Sequence, residues 1–226
     1  MSVIYKPRKK TPSRKGLLFI KSARTGGGAV KKFMIQIARQ NGIHCTHNRR
    51  YSRGALKPEN LKIINSGDYK VFTITRNPWD RFISSLAYYA ASQGKYFETM
   101  FLTANGKLNL KKLEVLQEEH GCSKGGYSHM GLHLFSPIHE TLEGVSDFEV
   151  LRYETLQKDV LRLCENLGLT VTFDSIPIVN RMGYKSPRSH YTDYYEEKSK
   201  QFIYDLFEKD IKMFDYFYEK KEKEKE

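Results

Sequence analysis

The sequence predicts an α/β fold, a single domain with a central parallel sheet flanked by helices. Three observations carry that prediction. Apolar, β-branched or aromatic runs recur at 16–21, 69–75 and 148–151, each passing through a loop into a helical pattern. No internal repeat and no Pro/Gly/Ser linker divides the chain. Its 226 residues, 39% of them hydrophobic, suffice for one sizeable core. Composition gives a basic tail over 1–15, a folded domain over 16–218 and a charged tail over 219–226.

Taken in order, Gly16 to Lys21 (GLLFIK) reads as a buried strand and Ser22–Gly28 as a Gly-rich loop. A helix is expected from Ala29 to Gln40, with Phe33, Ile35, Ile37 and Ala38 inward and Asn41-Gly42 as its stop. Ile43–His47 reads as a second strand. Tyr69–Thr75 (YKVFTIT) has the composition of a core strand. It passes through Arg76-Asn77 into Pro78, at the first position of a helix to Ser92 that carries Phe82, Ile83, Leu86 and Tyr89 on one side. Between 93 and 146 the pattern gives one helix, Leu110–His120. Phe148–Leu151 reads as a strand, followed by a helix through Val160, Leu161, Cys164 and Leu167 that stops at Gly168. Thr192 is the expected cap of a last helix, whose Phe202, Ile203, Leu206, Phe207, Ile211 and Phe214 repeat at helical period. In such sheets ligands lie at the carboxyl ends of the strands, where Ser22–Gly28 and Arg76-Asn77 fall.

The net charge of +12 is unevenly placed. Residues 1–58 carry 15 Lys/Arg and no acid, whereas the remainder carries 23 Lys/Arg against 26 acids. A cationic quarter of that size faces an anionic partner. Aromatic content of 13% excludes a disordered or collagen-like chain. The mean hydropathy of −0.60, with no apolar run near the ~20 residues of a span, gives no membrane segment. The basic N-terminus lacks the apolar stretch of a signal peptide, and Cys45, Cys122 and Cys164 form no CxxC pair. A reducing, cytoplasmic setting is expected.

Two stretches carry chemistry. In Phe19–Val30 (FIKSARTGGGAV), three glycines between a strand and a helix let backbone N–H groups close around an anion, with Lys21, Arg24, Lys31 and Lys32 adding charge. An ordinary flexible turn explains the same glycines without a ligand. No Lys-Ser or Lys-Thr follows them at the spacing of a nucleoside-triphosphate loop, which argues against a kinase. In Thr73–Ser85 (TITRNPWDRFISS), Arg76 leaves the strand as the chain turns and Ser84 lies two helical turns on. A guanidinium fork and a hydroxyl suit one phosphate. The alternative is an Arg76–Asp80 pair with a solvent-facing serine. His44, Cys45 and His47 invite a metal reading, but a strand divides them between its faces, so no metal is expected.

Together the two stretches resemble the PAPS-dependent sulfotransferases, notably the carbohydrate sulfotransferase-like, family 2 type. Members read F-x-H-I-P-K-T-G-G-T-S in the first loop and R-N-P-x-x-R-x-x-S in the second. Here Phe19, Thr25, Gly26 and Gly27 match the first, and Arg76, Asn77, Pro78, Arg81 and Ser84 match the second in full. The likeness continues in Phe148–Glu154 (FEVLRYE) and over Asn180–Tyr216. It implies a P-loop-NTPase-like sulfotransferase fold and transfer of a sulfuryl group from 3′-phosphoadenosine 5′-phosphosulfate (PAPS) to a hydroxyl or amine. The acceptor class is a carbohydrate or glycolipid, the product nucleotide is 3′-phosphoadenosine 5′-phosphate (PAP), and no metal is required. Without an anchor, the chain looks like a soluble bacterial-type or viral relative.

By the same resemblance, Arg24, Thr25, Gly26, Gly27, Gly28 and Ala29 hold the 5′-phosphosulfate, with Arg24 also serving catalysis. Arg76 and Ser84 hold the 3′-phosphate, and Lys185 and Arg188 close over the nucleotide. Two departures stand out: Arg24 occupies the place of the usual loop lysine, and Gly28-Ala29 replaces Thr-Ser, removing two hydroxyls. An acceptor hydroxyl needs a base. Of seven histidines, His47 holds the family's place after the second strand, with His44 next and His133 after it. His44, Arg49 and Arg50 are assigned to the acceptor, and Arg53 and Lys57 extend a surface for an acidic or already sulfated saccharide. Two readings compete. One is a nucleic-acid- or polyanion-binding protein, for which the R-N-P-x-x-R-x-x-S stretch has no use. The other is an inactive sulfotransferase-fold binding module, motivated by Gly28-Ala29; a phosphotransferase is a weaker enzymatic alternative.

Overall fold

Among the described residues, four strands pair in one all-parallel sheet, β1 (Gly16–Ile20), β2 (Cys45–Asn48), β3 (Tyr69–Thr75) and β4 (Glu149–Arg152), in the order β2-β1-β3-β4. The computed structural model describes residues 16–48, 58–122, 128–172 and 189–219. The expected tail over 1–15 lies outside them, as does the stretch 220–226 of the C-terminal tail. The helices are α1 (Gly27–Gln40), α2 (Pro58–Ile64), α3 (Pro78–Ser92), α4 (Phe97–Phe101), α5 (Leu110–His120), α6 (His129–Leu134), α7 (His139–Leu142), α8 (Leu156–Asn166) and α9 (Glu197–Met213). The α/β class and the parallel sheet are those the sequence predicts.

Within this domain the described chain forms two compact units. One comprises the residues up to Arg76 with those from Glu140 to Thr172, and the other Asn77–His139 with those from Ser189 onward. The first is built on the sheet. Leu17 and Phe19 of β1, Phe72 and Ile74 of β3 and Leu151 of β4 join Val30, Phe33, Met34 and Ile37 of α1 and Val160, Leu163 and Cys164 of α8 in one buried cluster. Phe19 and Phe72 stack at 5.0 Å. The alternate residues Leu18, Ile20, Val71 and Thr73 are buried as well, as a parallel sheet covered on both sides requires. The second unit is helical. Trp79, Phe82, Ile83 and Leu86 of α3 pack with Phe97, Phe101, Leu113, Leu116, Ile203, Phe207 and Ile211.

β3, α3 and α5 fall where the sequence places them. Asn77 caps α3 by accepting from Trp79 N at 3.1 Å, and Pro78 takes the first position, where a missing N–H costs nothing. Other expectations are corrected. α1 starts at Gly27 rather than Ala29, and its buried face uses Met34, while Ile35 is only half-buried. In α8, Val160 and Cys164 are buried as expected, but Leu161 is exposed and Leu163 is buried in its stead. Thr192 does not cap α9: it lies inside a separate 3₁₀ turn, Tyr191–Tyr194, and the cap is Glu196, paired reciprocally with Ser199. α2, α4, α6 and α7 were not expected at all.

Candidate functional site

The carboxyl ends of β1, β3 and β4 are in register, with Ile20 opposite Thr73 and Thr75 opposite Arg152. The three connections leaving them therefore start on one edge of the first unit: the loop from Lys21 to Gly26, Arg76, and the turn Tyr153–Thr155. Thr25 is fully buried and donates its hydroxyl to Ser22 O at 3.2 Å, folding the loop back on itself. That fold places Arg24 at φ +59° and Gly26 at φ +76°. Gly26 adopts this left-handed conformation freely, whereas Arg24 pays roughly 1–2 kcal/mol for it. Backbone strain of this kind is held in place only where surrounding contacts over-determine it.

Here the contact is Arg76. Its Nη1 donates to Arg24 O at 3.2 Å, and its guanidinium carbon lies 4.2 Å from the centre of the Tyr153 ring. The same ring closes on the loop: a Cβ on Gly26 would come within 2.9 Å of Tyr153 Cδ2 and Cε2. On Gly27 it would meet Phe19 Cζ at 3.0 Å and Lys21 Cγ at 3.1 Å. Packing therefore requires two of the three glycines. Gly28 differs, because a Cβ there meets nothing within 4 Å. The turn that carries Tyr153 is fixed on either side of it by Asp159. That buried carboxylate accepts from Arg152 N at 2.8 Å and Thr155 Oγ1 at 3.0 Å and pairs with Arg162 at 3.3 Å.

α1 begins at the end of this loop with no side-chain cap and no acidic residue in its first turn. Its leading N–H groups lack intrahelical acceptors, and the helix dipole adds about half a positive charge there. With Lys21 and Arg24 in the loop and Arg76 beside it, the edge is suited to a multiply charged anion.

The sequence-predicted residues divide as follows. Arg24, Thr25, Gly26, Gly27 and Arg76 come together in the first unit, and Gly28 and Ala29 occupy the first turn of α1. Ser84 is half-exposed on α3, in the second unit. His47 is half-buried in β2, opposite Phe19 and on the sheet face that Leu17 and Phe19 share. His44 is not brought to this edge. It precedes β2 at the amino end of the sheet, where its ring meets Tyr69 edge-on at 6.4 Å. Arg49, Arg50, Lys185 and Arg188 lie outside the described residues, as do Arg53 and Lys57. Tyr153 was missed as a site residue. Its segment drew attention by its likeness, but only the tertiary approach to Gly26 and Arg76 reveals its part.

Arg81, the second arginine of the matched stretch, has a different position. It is 3% exposed, donates through Nη1 to Ser136 O at 3.1 Å, sets Nη2 3.6 Å from Asp210 Oδ2 and lies 4.5 Å over the Phe207 ring. Asp210, 1% exposed, also accepts from Ile138 N, His139 N and His139 Nδ1 at 2.6–2.8 Å. This is a structural clamp inside the second unit, and no sequence signal separated it from the phosphate-binding reading of the same stretch. Among the described residues, no group of three or more His, Cys, Asp or Glu is placed to hold a metal, and no helix is long and apolar enough to cross a membrane.

A parallel sheet whose carboxyl-edge connections carry a glycine loop, a helix N-terminus and a braced arginine is an α/β architecture suited to an anionic group. The model of the sulfotransferase family, type 2, matches residues 30–217, and the chain belongs to that family. It is a sulfotransferase enzyme. The match begins at Val30, immediately after the Gly28-Ala29 departure. No curated protein and no solved structure matches the chain.

Proposed function

We propose that this enzyme transfers a sulfuryl group from PAPS to a hydroxyl or amine of a carbohydrate or glycolipid, without a metal. The observation that carries the reading is the brace at the sheet edge: Arg76 held between Arg24 O and the Tyr153 ring, beside an α1 N-terminus free of acidic residues. The chemistry of these donors fits a substrate with phosphate and sulfate groups at one end and a second phosphate at the other. Arg76 takes the 3′-phosphate. The leading N–H groups of α1, Thr25 and Arg24 take the 5′-phosphosulfate, and Lys185 and Arg188 close over the nucleotide.

In the transfer step, the acceptor oxygen bonds to sulfur as the bond between sulfur and the bridging phosphate oxygen breaks. The electron pair departs on PAP, and the acceptor proton passes to His47. Arg24 supplies fixed positive charge where negative charge develops. As a guanidinium it does not donate a proton to the leaving oxygen. The cationic N-terminal quarter, including Arg49 and Arg50, faces an acidic or already sulfated acceptor. The scattered placement of Cys45, Cys122 and Cys164 in the sequence, with no CxxC pair, supports a reducing, cytoplasmic compartment.

Calorimetry with PAP, with AMP (which lacks the 3′-phosphate) and with a short DNA duplex tests this reading. PAP is expected to bind far more tightly than AMP, and His47→Ala is expected to lower turnover with PAP affinity unchanged. Binding of the duplex with no binding of PAP would replace the donor reading with polyanion recognition by the basic quarter.

A further inference from the structure

The chain after α9 has no part in the donor reading, yet it is tightly organised. Asp215 turns at φ +52°, and Tyr216 N donates back to Ile211 O at 3.0 Å. From there a short strap runs over the start of α3. Phe217 O accepts from Asn77 Nδ2 at 3.1 Å, and Glu219 N donates to Tyr191 OH at 3.1 Å. Tyr191 OH in turn accepts from Asn77 Nδ2 at 3.3 Å. The Asn77 amide is thus used in full: its oxygen caps α3 through Trp79 N, and its nitrogen is shared between the strap and the tyrosine that the strap holds.

Between these contacts the Tyr218 ring is boxed by three others at nearly right angles. Trp79 lies at 5.4 Å, Tyr191 at 5.7 Å and Tyr195 at 5.9 Å, the edge-to-face arrangement aromatic rings prefer. Tyr218 OH donates to Thr192 O at 3.2 Å, and Lys200 Nζ lies 5.1 Å from its ring centre. Burial and the nearby Asp193 and Glu197 push this hydroxyl up to about 12, so it stays protonated as a donor. Such a box fixes the backbone on both sides of Tyr218, Phe217 O included.

We propose that this strap, anchored by Tyr218, is a positioning element of the donor site. It fixes Asn77 through Phe217 O, and Asn77 is joined by a single peptide bond to Arg76. The inference rests on the reading of Arg76 as the arginine for the 3′-phosphate. An Asn77 that can swing releases the backbone from which the Arg76 side chain is aimed, and the preference for a nucleotide with a 3′-phosphate declines.

The test compares PAP and AMP affinities by calorimetry, with thermal melting alongside, for wild type, Arg76→Ala, Asn77→Ser, Tyr218→Ala and Tyr218→Phe. Serine keeps an acceptor for the α3 cap but has no amide to reach Phe217 O, so Asn77→Ser removes the strap contact without unwinding the helix. Asn77→Ser and Tyr218→Ala are each expected to weaken PAP binding by about tenfold, the scale of one well-made hydrogen bond, and to leave AMP nearly unchanged. Tyr218→Phe, which keeps the boxed ring, is expected to restore most of the loss. In the double variant the effects are expected not to add, because both break one link. If Arg76→Ala retains full PAP affinity, the donor reading itself fails. Should Arg76→Ala abolish the PAP preference while Asn77→Ser and Tyr218→Ala retain it, the donor reading stands and the strap proposal falls. Equal loss for PAP and AMP would mark the strap as merely structural and overturn it too. Asn77→Ser decides the matter alone if Tyr218→Ala does not fold.

Discussion

The R-N-P-x-x-R-x-x-S stretch contributes one arginine to each compact unit, and the contacts that hold the two differ. Arg76 is half-buried, lies against an aromatic face and donates one N–H to a backbone carbonyl. Arg81 is enclosed, faces a carboxylate that is itself enclosed, and rests on Phe207. A π face holds a guanidinium in place without itself neutralising it, which suits an arginine that is to meet a phosphate. A buried carboxylate cancels the charge and converts the arginine into a tie between Ser136 and α9. Spacing in the sequence marks both residues equally; the surroundings assign them different work.

The contrast can be broken most forcefully at Asp210. Asp210→Ala leaves the Arg81 charge buried without its carboxylate, and the expected cost is about 3–5 kcal/mol, read as a fall in the denaturation midpoint. Arg76→Ala is expected to do the reverse: about 10–100-fold weaker PAP binding, from the loss of charged hydrogen bonds, with a melting temperature near wild type. A large loss of stability there would erase the distinction between the two arginines. Tyr153 sharpens it. Replacing the ring in Tyr153→Leu is expected to weaken PAP by roughly 3–10-fold, and Tyr153→Phe to preserve binding, because the face and not the hydroxyl braces Arg76.

Smaller effects are expected within the glycine loop and at alkaline pH. Gly28→Ser meets open space and restores one missing hydroxyl, so PAP binding is expected to tighten by a few-fold at most. Gly26→Ala, with positive φ and the Tyr153 ring in the way, is expected to weaken binding instead. Burial raises Cys45 to about 12 and Cys164 to about 11. Both folded values exceed the ordinary 9.0, so the stability tied to the neutral thiols is complete below pH 9 and is lost as pH rises toward 11–12. Denaturation between pH 8 and 11 checks the sign. Maleimide labelling at pH 8 is expected at exposed Cys122 well before Cys164.

Much of the scaffold was legible because its patterns are long or chemically unambiguous. The YKVFTIT run could only be a core strand, and Asn77-Pro78 states the start of α3 outright. The four unexpected helices have four to seven residues each, too few for a 3.6-residue period to repeat. Asp210 interrupts the apolar stripe of α9, and nothing local says that its carboxylate turns inward to meet Arg81 and two backbone N–H groups. At the site, Arg76 and the glycines were legible from residue type and spacing. Tyr153 was not, because an aromatic side chain 36% exposed in a short turn acquires meaning only from residues more than seventy positions earlier in the chain.

The strand order has a consequence for how the protein is made. β3 is complete at Thr75, but its second neighbour, β4, starts at Glu149, after most of the helical unit has been synthesised. At about 5–20 residues per second the ribosome takes roughly 4–15 s to cross that gap. Throughout it β3 presents an unpaired parallel edge of Val71, Phe72, Thr73 and Ile74, a template for pairing with other chains. The helical unit waits in its turn for α9, which starts only at Glu197. Neither unit can close on a nascent chain before its late segment emerges, so chains cut between α3 and β4 are expected to aggregate rather than fold.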